Sequence, residues 1–326
     1  MDASAIEGMV AGLNDPHSSY LTSKEAVEFN QTVAGNYQGI GVGFSMVEKG
    51  AMITKVYNDS PASKAGLNVG DIIMQADGKD LANLDTDKVK EYVRGDDGTE
   101  VTLTVLSNKK ISEIKVTRGA LDTSSFYEIR KQRNTSFGYI ELSTFGTDTA
   151  NQVEEALKSF KQANVQTLVL DLRDNGGGYL TAATDILDLF FSSDEVIYQM
   201  KEKNSAAKKY YASTDSKYEF VNGYILVNGN TASASELTAG ALQSEKGYQL
   251  VGTTTYGKGS AQTQKTLSDG SVLKYTYAKW MIPNGTCING KGLTPDIEVE
   301  NVSLDGISTK DVKETLKVDC VNTRIK

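Results

Sequence analysis

Histidine and cysteine are scarce in this chain of 326 residues, which contains one histidine and two cysteines. The cysteines, Cys287 and Cys320, cannot form a disulfide scaffold for a chain of this size, although the sequence allows one bridge between them. Neither cysteine has a histidine near it in the sequence, so the sequence predicts no metal site. A serine nucleophile that needed a histidine base would have to use His17.

Long apolar runs and an excess of positive charge are also absent. No stretch of apolar residues is long enough for a transmembrane helix. The N-terminus lacks the basic and apolar regions of a signal peptide, and the spacing of Ile6, Met9, Val10 and Leu13 predicts an amphipathic helix instead. Lysine and arginine number 34 against 42 aspartate and glutamate residues, and this formal net charge of −8 argues against nucleic acid as a main partner.

The segment 224–262 contains a serine at a predicted junction between a strand and a helix. Tyr224–Val227 is a short apolar run typical of a buried strand, and residues 232–242 are rich in helix formers. Ser233 therefore lies near a helix start, where free N–H groups and the helix dipole stabilise a developing oxyanion. This position suits a nucleophile, although a serine at a helix start is more often only an N-cap.

A serine hydroxyl needs a base, and Lys258 is a better candidate than His17. His17 lies far upstream in an Asp-Pro-His-Ser turn, where we interpret it as a hydrogen-bonded turn residue. Lys258 lies between two glycines, and burial would lower its pKa because the charged form loses its water. Gln262 could orient the amine without adding charge. Taken alone, however, a Gly-Lys-Gly sequence is more often a solvated loop.

The spacing and the flanking residues resemble those of the carboxyl-terminal processing peptidases, also called tail-specific proteases. Residues 231–236 (TASASE) are similar to that family's S/T-A-S-A-S-E signature, and residues 256–259 (YGKG) to its F/Y-G-K-G signature. The intervals from Ser233 to Lys258 and from Lys258 to Gln262 also match. The resemblance implies a serine endopeptidase in which Ser233 attacks, Lys258 is the base, Gln262 holds the lysine, and no metal or organic cofactor is needed.

Residues 173–178 (RDNGGG) form a glycine-rich turn between a predicted buried strand and a predicted helix. Such a turn can bind phosphate, but this one lacks the Gly-Lys-Ser/Thr ending and the spacing of a dinucleotide fingerprint. Its D-L-R-x-N-x-G-G pattern is another mark of the same peptidase family. The pattern implies that Ala234 and either Gly177 or Gly178 donate N–H groups to the oxyanion, because glycine lets a substrate carbonyl approach closely. The sequence does not choose between the two glycines.

Residues 36–119 contain short predicted strands and turn signals, and they resemble a PDZ domain of the circularly permuted type found in bacterial proteases. The series at 60–81, SPASKAGLNVGDIIMQADGKDL, is its most characteristic part. A strand edge with accessible N–H groups, suited to binding a peptide by strand addition, is predicted at Gly39, Ile40, Gly41 and Val42.

A predicted helix at 85–93 would form the other wall of the peptide groove. Arg94 follows this helix and is a candidate for coupling the PDZ domain to the protease core. A solvated charge that interacts with the C-terminal end of the helix dipole is the simpler interpretation of Arg94.

The expected fold class is α/β: a crotonase-like α/β protease core with an inserted, β-rich PDZ domain and a small N-terminal helical region. The expected boundaries are 1–35 for the helical region, 36–119 for the PDZ domain, 120–300 for the core, with a small cap at about 192–222, and 301–326 for a C-terminal tail. We expect that tail to be loosely held or to join a partner subunit.

The resemblance implies protein or peptide substrates with apolar C-termini and an extracytoplasmic location, in the cell envelope or secreted. Relatives usually carry an export signal or membrane anchor, so the resemblance is compatible with an anchor upstream of residue 1. It is also compatible with a homo-oligomer. Two other functions are compatible with parts of the sequence: a catalytically silent PDZ adaptor, and a crotonase-like enzyme acting on acyl thioesters. Only the peptidase needs both Ser233 and Lys258.

Overall fold

The computed structural model describes residues 3–132 and 135–300, and these residues divide into two compact units. Residues 36–126 form the smaller unit. The described residues before 36 and from 127 onwards form the larger unit, so the N-terminal helices belong with the α/β core.

Before residue 36 the chain forms α1 (Ala3–Ala11), β1 (Ser19–Leu21) and α2 (Ser23–Ala34). It continues with β2 (Asn36–Gly39), β3 (Val42–Val47), β4 (Gly50–Val56), α3 (Pro61–Lys64), β5 (Ile72–Ala76), β6 (Lys79–Asp80), α4 (Thr86–Val93), β7 (Glu100–Ser107), β8 (Lys110–Thr117) and β9 (Gly119–Asp122). Later elements are β10 (Ser125–Gln132), β11 (Thr135–Leu142), α5 (Thr149–Gln162), β12 (Thr167–Asp171), α6 (Leu180–Leu187), β13 (Val196–Glu202), β14 (Lys208–Tyr211), β15 (Asn222–Val227), α7 (Ala234–Lys246), β16 (Gln249–Gly252), β17 (Ser260–Thr266), β18 (Val272–Met281) and β19 (Ile297–Glu298).

A six-stranded sheet in the order β10-β11-β12-β15-β16-β19 forms the centre of the larger unit. Its pairings from β11 to β19 are parallel, so the strands need crossover connections; α5 joins β11 to β12, and α7 joins β15 to β16. β12 has the sequence Thr-Leu-Val-Leu-Asp and is buried along almost its whole length, as expected for a central parallel strand. The buried strand predicted before the glycine turn is β12, and the helix predicted after it is α6, so both predictions are confirmed.

The carboxyl ends of three neighbouring strands determine where a site can form. Asp171 of β12 pairs with Leu226 of β15, and Val227 of β15 pairs with Gly252 of β16. The glycine turn follows β12, the serine corner follows β15, and the lysine loop follows β16. All three segments therefore leave the sheet at one edge, where parallel α/β sheets form their ligand sites.

A five-stranded antiparallel sheet completes the larger unit, with β1, β13 and β17 all paired to β18 and β14 paired to β13. Residues 267–271 join β17 to β18 as a hairpin. The segment 192–222, predicted as a cap, supplies β13 and β14 of this sheet. β1 pairs with the beginning of β18, with Ser19 opposite Lys274, so the N-terminal segment reaches the sheet that carries Gln262.

The smaller unit contains a sheet in the order β3-β4-β5-β7-β8, with β6 paired to β5, and a separate β2–β9 pair. β3 is an edge strand of this sheet, as a peptide-binding strand must be. The helix α4 begins after Asp85, whose Oδ1 accepts the N–H of Lys88 at 2.7 Å as an N-cap. Val89 and Val93 of α4 are buried in the apolar core of this unit.

Among the described residues, no helix combines the length and the apolar character needed to cross a bilayer. The predicted tail at 301–326 and Cys320 lie outside the described residues. The behaviour of the tail and the bridge between Cys287 and Cys320 therefore stay predictions.

Candidate active site

Ser233 occupies the corner between β15 and α7. Its φ of 59° and ψ of −119° are uncommon for a residue other than glycine, and such strain is concentrated at functional sites. Its side chain is half-buried, which leaves it accessible from solvent. Ser235 is fully buried, and its Oγ donates to the Asn175 carbonyl at 2.9 Å, so the second serine of the signature has a structural contact.

Lys258 lies in the loop between β16 and β17 and is half-buried. Burial lowers the pKa of Lys258, and the positive charge of Lys274 lowers that pKa further. The negative charges of Glu236 and Asp15 act in the opposite direction. A lowered pKa increases the fraction of neutral amine, which is the form that can accept the proton of a serine hydroxyl.

Glu236 connects the serine corner to the lysine loop. Its Oε2 accepts the backbone N–H of Ser233 at 2.9 Å and the backbone N–H of Lys258 at 2.8 Å. Because both bonds end on one oxygen, the two backbone nitrogens lie within about 6 Å of each other. The sequence places Glu236 in the serine signature, but its contact with the lysine loop could not be predicted from the signature.

The glycine turn lies against the serine corner. A Cβ added to Gly177 would lie 2.8 Å from the Ser233 Cβ and 3.0 Å from the Ala234 nitrogen. Asn175, which is fully buried, holds the turn in place: its carbonyl accepts the Ala232 N–H at 3.0 Å, and its Oδ1 accepts the Gly177 N–H at 2.9 Å.

The two candidate glycines differ in how their N–H groups are used. The Gly177 N–H donates to the Asn175 side chain. Gly178 forms a β-bridge with Phe145 that uses the Gly177 carbonyl and the Tyr179 N–H, so the bridge leaves the Gly178 N–H unused. The Ala234 N–H, at the first residue of α7, has no carbonyl partner within the helix.

Gln262 lies on β17 with its amide group directed at the neighbouring polar side chains. Its Nε2 donates to Ser260 Oγ at 2.9 Å and to Thr276 Oγ1 at 3.1 Å. Within the part of the chain that the structure describes, no hydrogen bond joins the Lys258 amine to Gln262 or to the Ser233 hydroxyl. The structure thus brings the backbones of Ser233 and Lys258 together but does not join the three predicted side chains by hydrogen bonds.

The Asp-Pro-His-Ser turn lies near the lysine, which the sequence did not indicate. The Ser18 Oγ accepts the N–H of Thr276, the hydrogen-bond partner of Gln262, at 3.3 Å and donates to Asp15 at 2.5 Å. Asp15 also accepts the His17 N–H at 3.1 Å, so the predicted hydrogen-bonded turn is confirmed. Burial lowers the pKa of His17, and the nearby charge of Lys258 lowers it further. No local signal could have predicted this proximity, because it depends on the pairing of β1 with β18.

The predicted peptide-binding residues lie at the end of β2 and the beginning of β3. The carbonyl of Ile40 accepts the Ala62 N–H at 2.8 Å, which fastens this loop to α3. Gly41 has a φ of 78°, and an added Cβ would collide with the side chain of Ser60, so the loop conformation requires glycine at this position.

Arg94 forms the C-cap of α4. Its guanidinium lies 4.6 Å from the centre of the Tyr37 ring, which is a cation–π distance. Tyr37 lies on β2, two residues before Gly39. Arg94 therefore contacts the strand that leads into the predicted peptide-binding loop, and its role in coupling stays a prediction.

Comparison with known proteins gives matches along nearly the whole chain. Residues 136–299 match the model of peptidase family S41, and residues 38–117 match that of the PDZ domain. The carboxy-terminal processing protease CtpB of Bacillus subtilis (strain 168) is 34% identical over 326 residues, which cover 99% of this chain and 68% of that protein. A probable CtpA-like serine protease of Staphylococcus haemolyticus (strain JCSC1435) is 37% identical over 310 residues, which cover 94% and 62%.

A solved structure of a photosystem II D1 C-terminal processing protease is similar in fold. It has 27% sequence identity and a TM-score of 0.56, and the match covers 91% of this chain and 81% of that one. This likeness confirms the predicted α/β core with a PDZ domain.

The chain belongs to peptidase family S41, whose members include serine peptidases of the carboxy-terminal processing type, and it carries a PDZ domain. The family predicted from the two signatures is thereby confirmed. The chain spans 62% and 68% of the length of the two curated relatives described above.

Proposed function

We propose that this protein is a serine endopeptidase whose PDZ domain binds the unstructured, apolar C-terminal tails of its protein substrates. Ser233 is the nucleophile, Lys258 is the general base, and Gln262 orients the lysine. The observation that supports this proposal most directly is the single carboxylate oxygen of Glu236 that accepts the N–H groups of both Ser233 and Lys258.

In the first step, the neutral amine of Lys258 accepts the proton of the Ser233 hydroxyl while the Ser233 Oγ bonds to the peptide carbonyl carbon. The resulting ammonium returns this proton to the leaving amine as the peptide bond breaks. A water molecule then hydrolyses the acyl-enzyme with the same lysine as base. The Ser233–Lys258 hydrogen bond forms when substrate binds, because catalytic contacts often tighten only in the substrate complex.

The negative charge that develops on the carbonyl oxygen lies at the N-terminus of α7. The Ala234 N–H is one donor, since it has no partner within the helix. We assign the second donor to Gly178, whose N–H is not used in the bridge with Phe145. Gly177 would first have to give up its bond to Asn175.

In the PDZ domain, a substrate tail would add a strand to β3, the edge strand of its sheet. The backbone N–H groups of Gly39, Ile40, Gly41 and Val42 would receive the terminal carboxylate and the last residues of the tail. The buried Ile40 and the bond from Ala62 fasten this loop before any ligand arrives, which reduces the entropy cost of binding.

The test compares digestion of an unfolded protein with an apolar C-terminus by the wild type, Ser233→Ala, Lys258→Ala and Gln262→Ala. We expect kcat/KM to fall by about 1,000-fold or more for the first two variants and less for the third. Binding of an apolar tail peptide to Ser233→Ala should be unchanged. Cleavage that survives Ser233→Ala or Lys258→Ala would exclude the mechanism, and tail binding without cleavage by the wild type would favour a silent adaptor.

We also propose that the protein acts outside the cytoplasm, as the family resemblance implies. Fractionation of cells that express the complete natural gene product would test this. Detection of the protein only in the soluble cytoplasmic fraction would contradict the proposed location.

A further inference from the structure

The carboxylate of Glu236 is fully buried and accepts four hydrogen bonds. Its Oε1 accepts from the Thr255 hydroxyl at 2.5 Å and from the Gly257 N–H at 2.7 Å. Its Oε2 accepts from the N–H groups of Ser233 at 2.9 Å and Lys258 at 2.8 Å. A buried carboxylate is costly unless its oxygens are satisfied, and these four donors together with the N-terminal end of α7 compensate for the lost water.

The four donors come from two segments that are distant in sequence. Ser233 belongs to the corner after β15, whereas Thr255, Gly257 and Lys258 belong to the loop after β16. Glu236 itself lies in the first turn of α7, where its position is set by the helix. The carboxylate therefore links the backbone that carries the nucleophile to the backbone that carries the base, in addition to the bond from the Tyr256 N–H to the Thr231 carbonyl at 3.0 Å.

The lysine loop has little freedom to compensate if this link is lost. Gly257 has a φ of 87°, and a Cβ added there would lie 2.7 Å from the Gly292 nitrogen and 2.9 Å from the Lys291 nitrogen. The Gly257 carbonyl also accepts the Gly290 N–H at 2.8 Å. The loop is thus held by Glu236 and the Thr231 carbonyl on one side and by residues 290–292 on the other, and Glu236 is the group that accepts the N–H of Lys258 itself.

We propose that Glu236 is a positioning residue of the catalytic site, which holds the backbones of Ser233 and Lys258 at the separation that proton transfer requires. This inference rests on the Ser233–Lys258 mechanism proposed above. It also gives a reason for the strained backbone of Ser233, because the bond from the Ser233 N–H to Glu236 stabilises that conformation.

Two substitutions at Glu236 distinguish the effect of the side-chain length from the effect of the negative charge. Glu236→Asp keeps the charge but is one methylene shorter, so it cannot hold both segments in the same way. Glu236→Gln keeps the length but replaces one accepting oxygen with an NH₂ group that faces N–H donors. Only the second variant removes a negative charge that acts on Lys258. The charges of Asp15 and Lys274 also act on the pKa of Lys258, and the charge of Lys258 in turn lowers the pKa of the nearby His17.

The experiment measures kcat and KM from pH 5 to 10 for a fluorogenic peptide substrate, together with thermal unfolding of each variant. We expect both Glu236 variants to lose 100-fold or more in kcat with KM changed less than threefold. In Glu236→Gln the residual activity should reach its half-maximum at lower pH than in the wild type, because loss of the negative charge lowers the pKa of Lys258. In Glu236→Asp the half-maximum should stay within 0.3 pH units of the wild type.

Glu195→Gln is the matched control, because Glu195 accepts from the Ser192 N–H at 2.6 Å and from Lys246, at the other end of α7, at 2.7 Å. It should keep kcat within threefold of the wild type. Thr255→Val removes one of the four donors, together with the acceptor of the Leu293 N–H at 2.7 Å, and a kcat reduced threefold or more is expected. If neither Glu236 variant unfolds cooperatively, the test is Thr255→Val compared with Thr255→Ser, which keeps the hydroxyl and therefore the bonds to Glu236 and from Leu293.

Wild-type kcat in any cooperatively folded Glu236 variant would overturn the inference, as would wild-type kcat in Thr255→Val if the Glu236 variants fail to fold. An equal loss in Glu195→Gln would also overturn it, because the effect would then be general destabilisation. Ser233→Ala and Lys258→Ala are assayed in parallel. Activity in those two variants rejects the proposed mechanism itself, whereas their inactivity beside an active Glu236→Gln rejects only the role of Glu236.

Discussion

Gly177 lies so close to Ser233 that a methyl group at position 177 would be 2.8 Å from the Ser233 Cβ. The same methyl group would lie 2.9 Å from the Ala232 carbonyl oxygen. The φ of Gly177, 103°, is also one that residues with a side chain rarely adopt. The glycine turn and the serine corner therefore depend on each other, although they follow different strands.

We expect Gly177→Ala to reduce kcat/KM by about 100-fold or more, because the added methyl group displaces Ser233 or the oxyanion donors beside it. Gly176→Ala is the matched control, since a Cβ at position 176 meets nothing within 4 Å. Peptide cleavage and thermal unfolding of both variants check the prediction. Equal activity in the two variants would show that the close contact has no bearing on catalysis.

Lys274→Gln should move the pH dependence of kcat/KM to higher pH. Burial and the positive charge of Lys274 both lower the pKa of Lys258, so removing that charge lets the pKa rise. The base is active when neutral, and the acid limb should therefore shift to higher pH. The control is Lys265→Gln, at an exposed lysine on β17. A shift to lower pH would contradict the prediction.

Asp15→Asn should have the opposite effect on the same pH profile. The negative charge of Asp15 raises the pKa of Lys258, so its removal should move the acid limb to lower pH. We also expect kcat to fall by about threefold to tenfold. Asp15 accepts a hydrogen bond from the Ser18 hydroxyl, Ser18 accepts the N–H of Thr276, and the Thr276 hydroxyl accepts the amide of Gln262. Glu155→Gln, at an exposed residue of α5, controls for the loss of one negative charge. An unchanged profile would indicate that the turn lies outside the electrostatic reach of the lysine.

Gly41→Ala should weaken binding of an apolar tail peptide to the PDZ domain by about tenfold or more, because the added Cβ collides with Ser60 and alters the loop that receives the carboxylate. Gly66→Ala has a similar φ of 81° but meets nothing within 4 Å, so it controls for backbone strain alone. Isothermal titration with a free and an amidated peptide measures the effect. Wild-type affinity in Gly41→Ala would place the peptide site elsewhere.

Local sequence patterns were sufficient to predict the elements on either side of the site. The apolar run at 224–227 predicts β15, and the helix formers that follow predict α7, with Ser233 at the junction. The glycine-rich turn at 173–178 is likewise predicted between a buried strand and a helix, and these are β12 and α6. These predictions succeed because strand and helix periodicity depend on neighbouring residues.

The contacts around the lysine could not be predicted in this way. Asp15 and Ser18 reach the site because β1 pairs with β18 across more than 250 residues of chain, as the bond between Ser18 and Thr276 shows. Glu236 belongs to a recognisable signature, yet its bonds to Gly257 and Lys258 exist only because β15 and β16 are neighbours in the sheet.

The sequence by itself determined the family, the strand-to-helix corner at Ser233, the glycine turn and the candidate base, since each depends on residue type and short-range spacing. The tertiary structure decided which groups surround Lys258, which of them lower its pKa and which raise it, and which carboxylate joins its loop to the serine corner. Burial and charge proximity are properties of the folded chain, because they arise from residues that the strand order brings to one edge of the sheet.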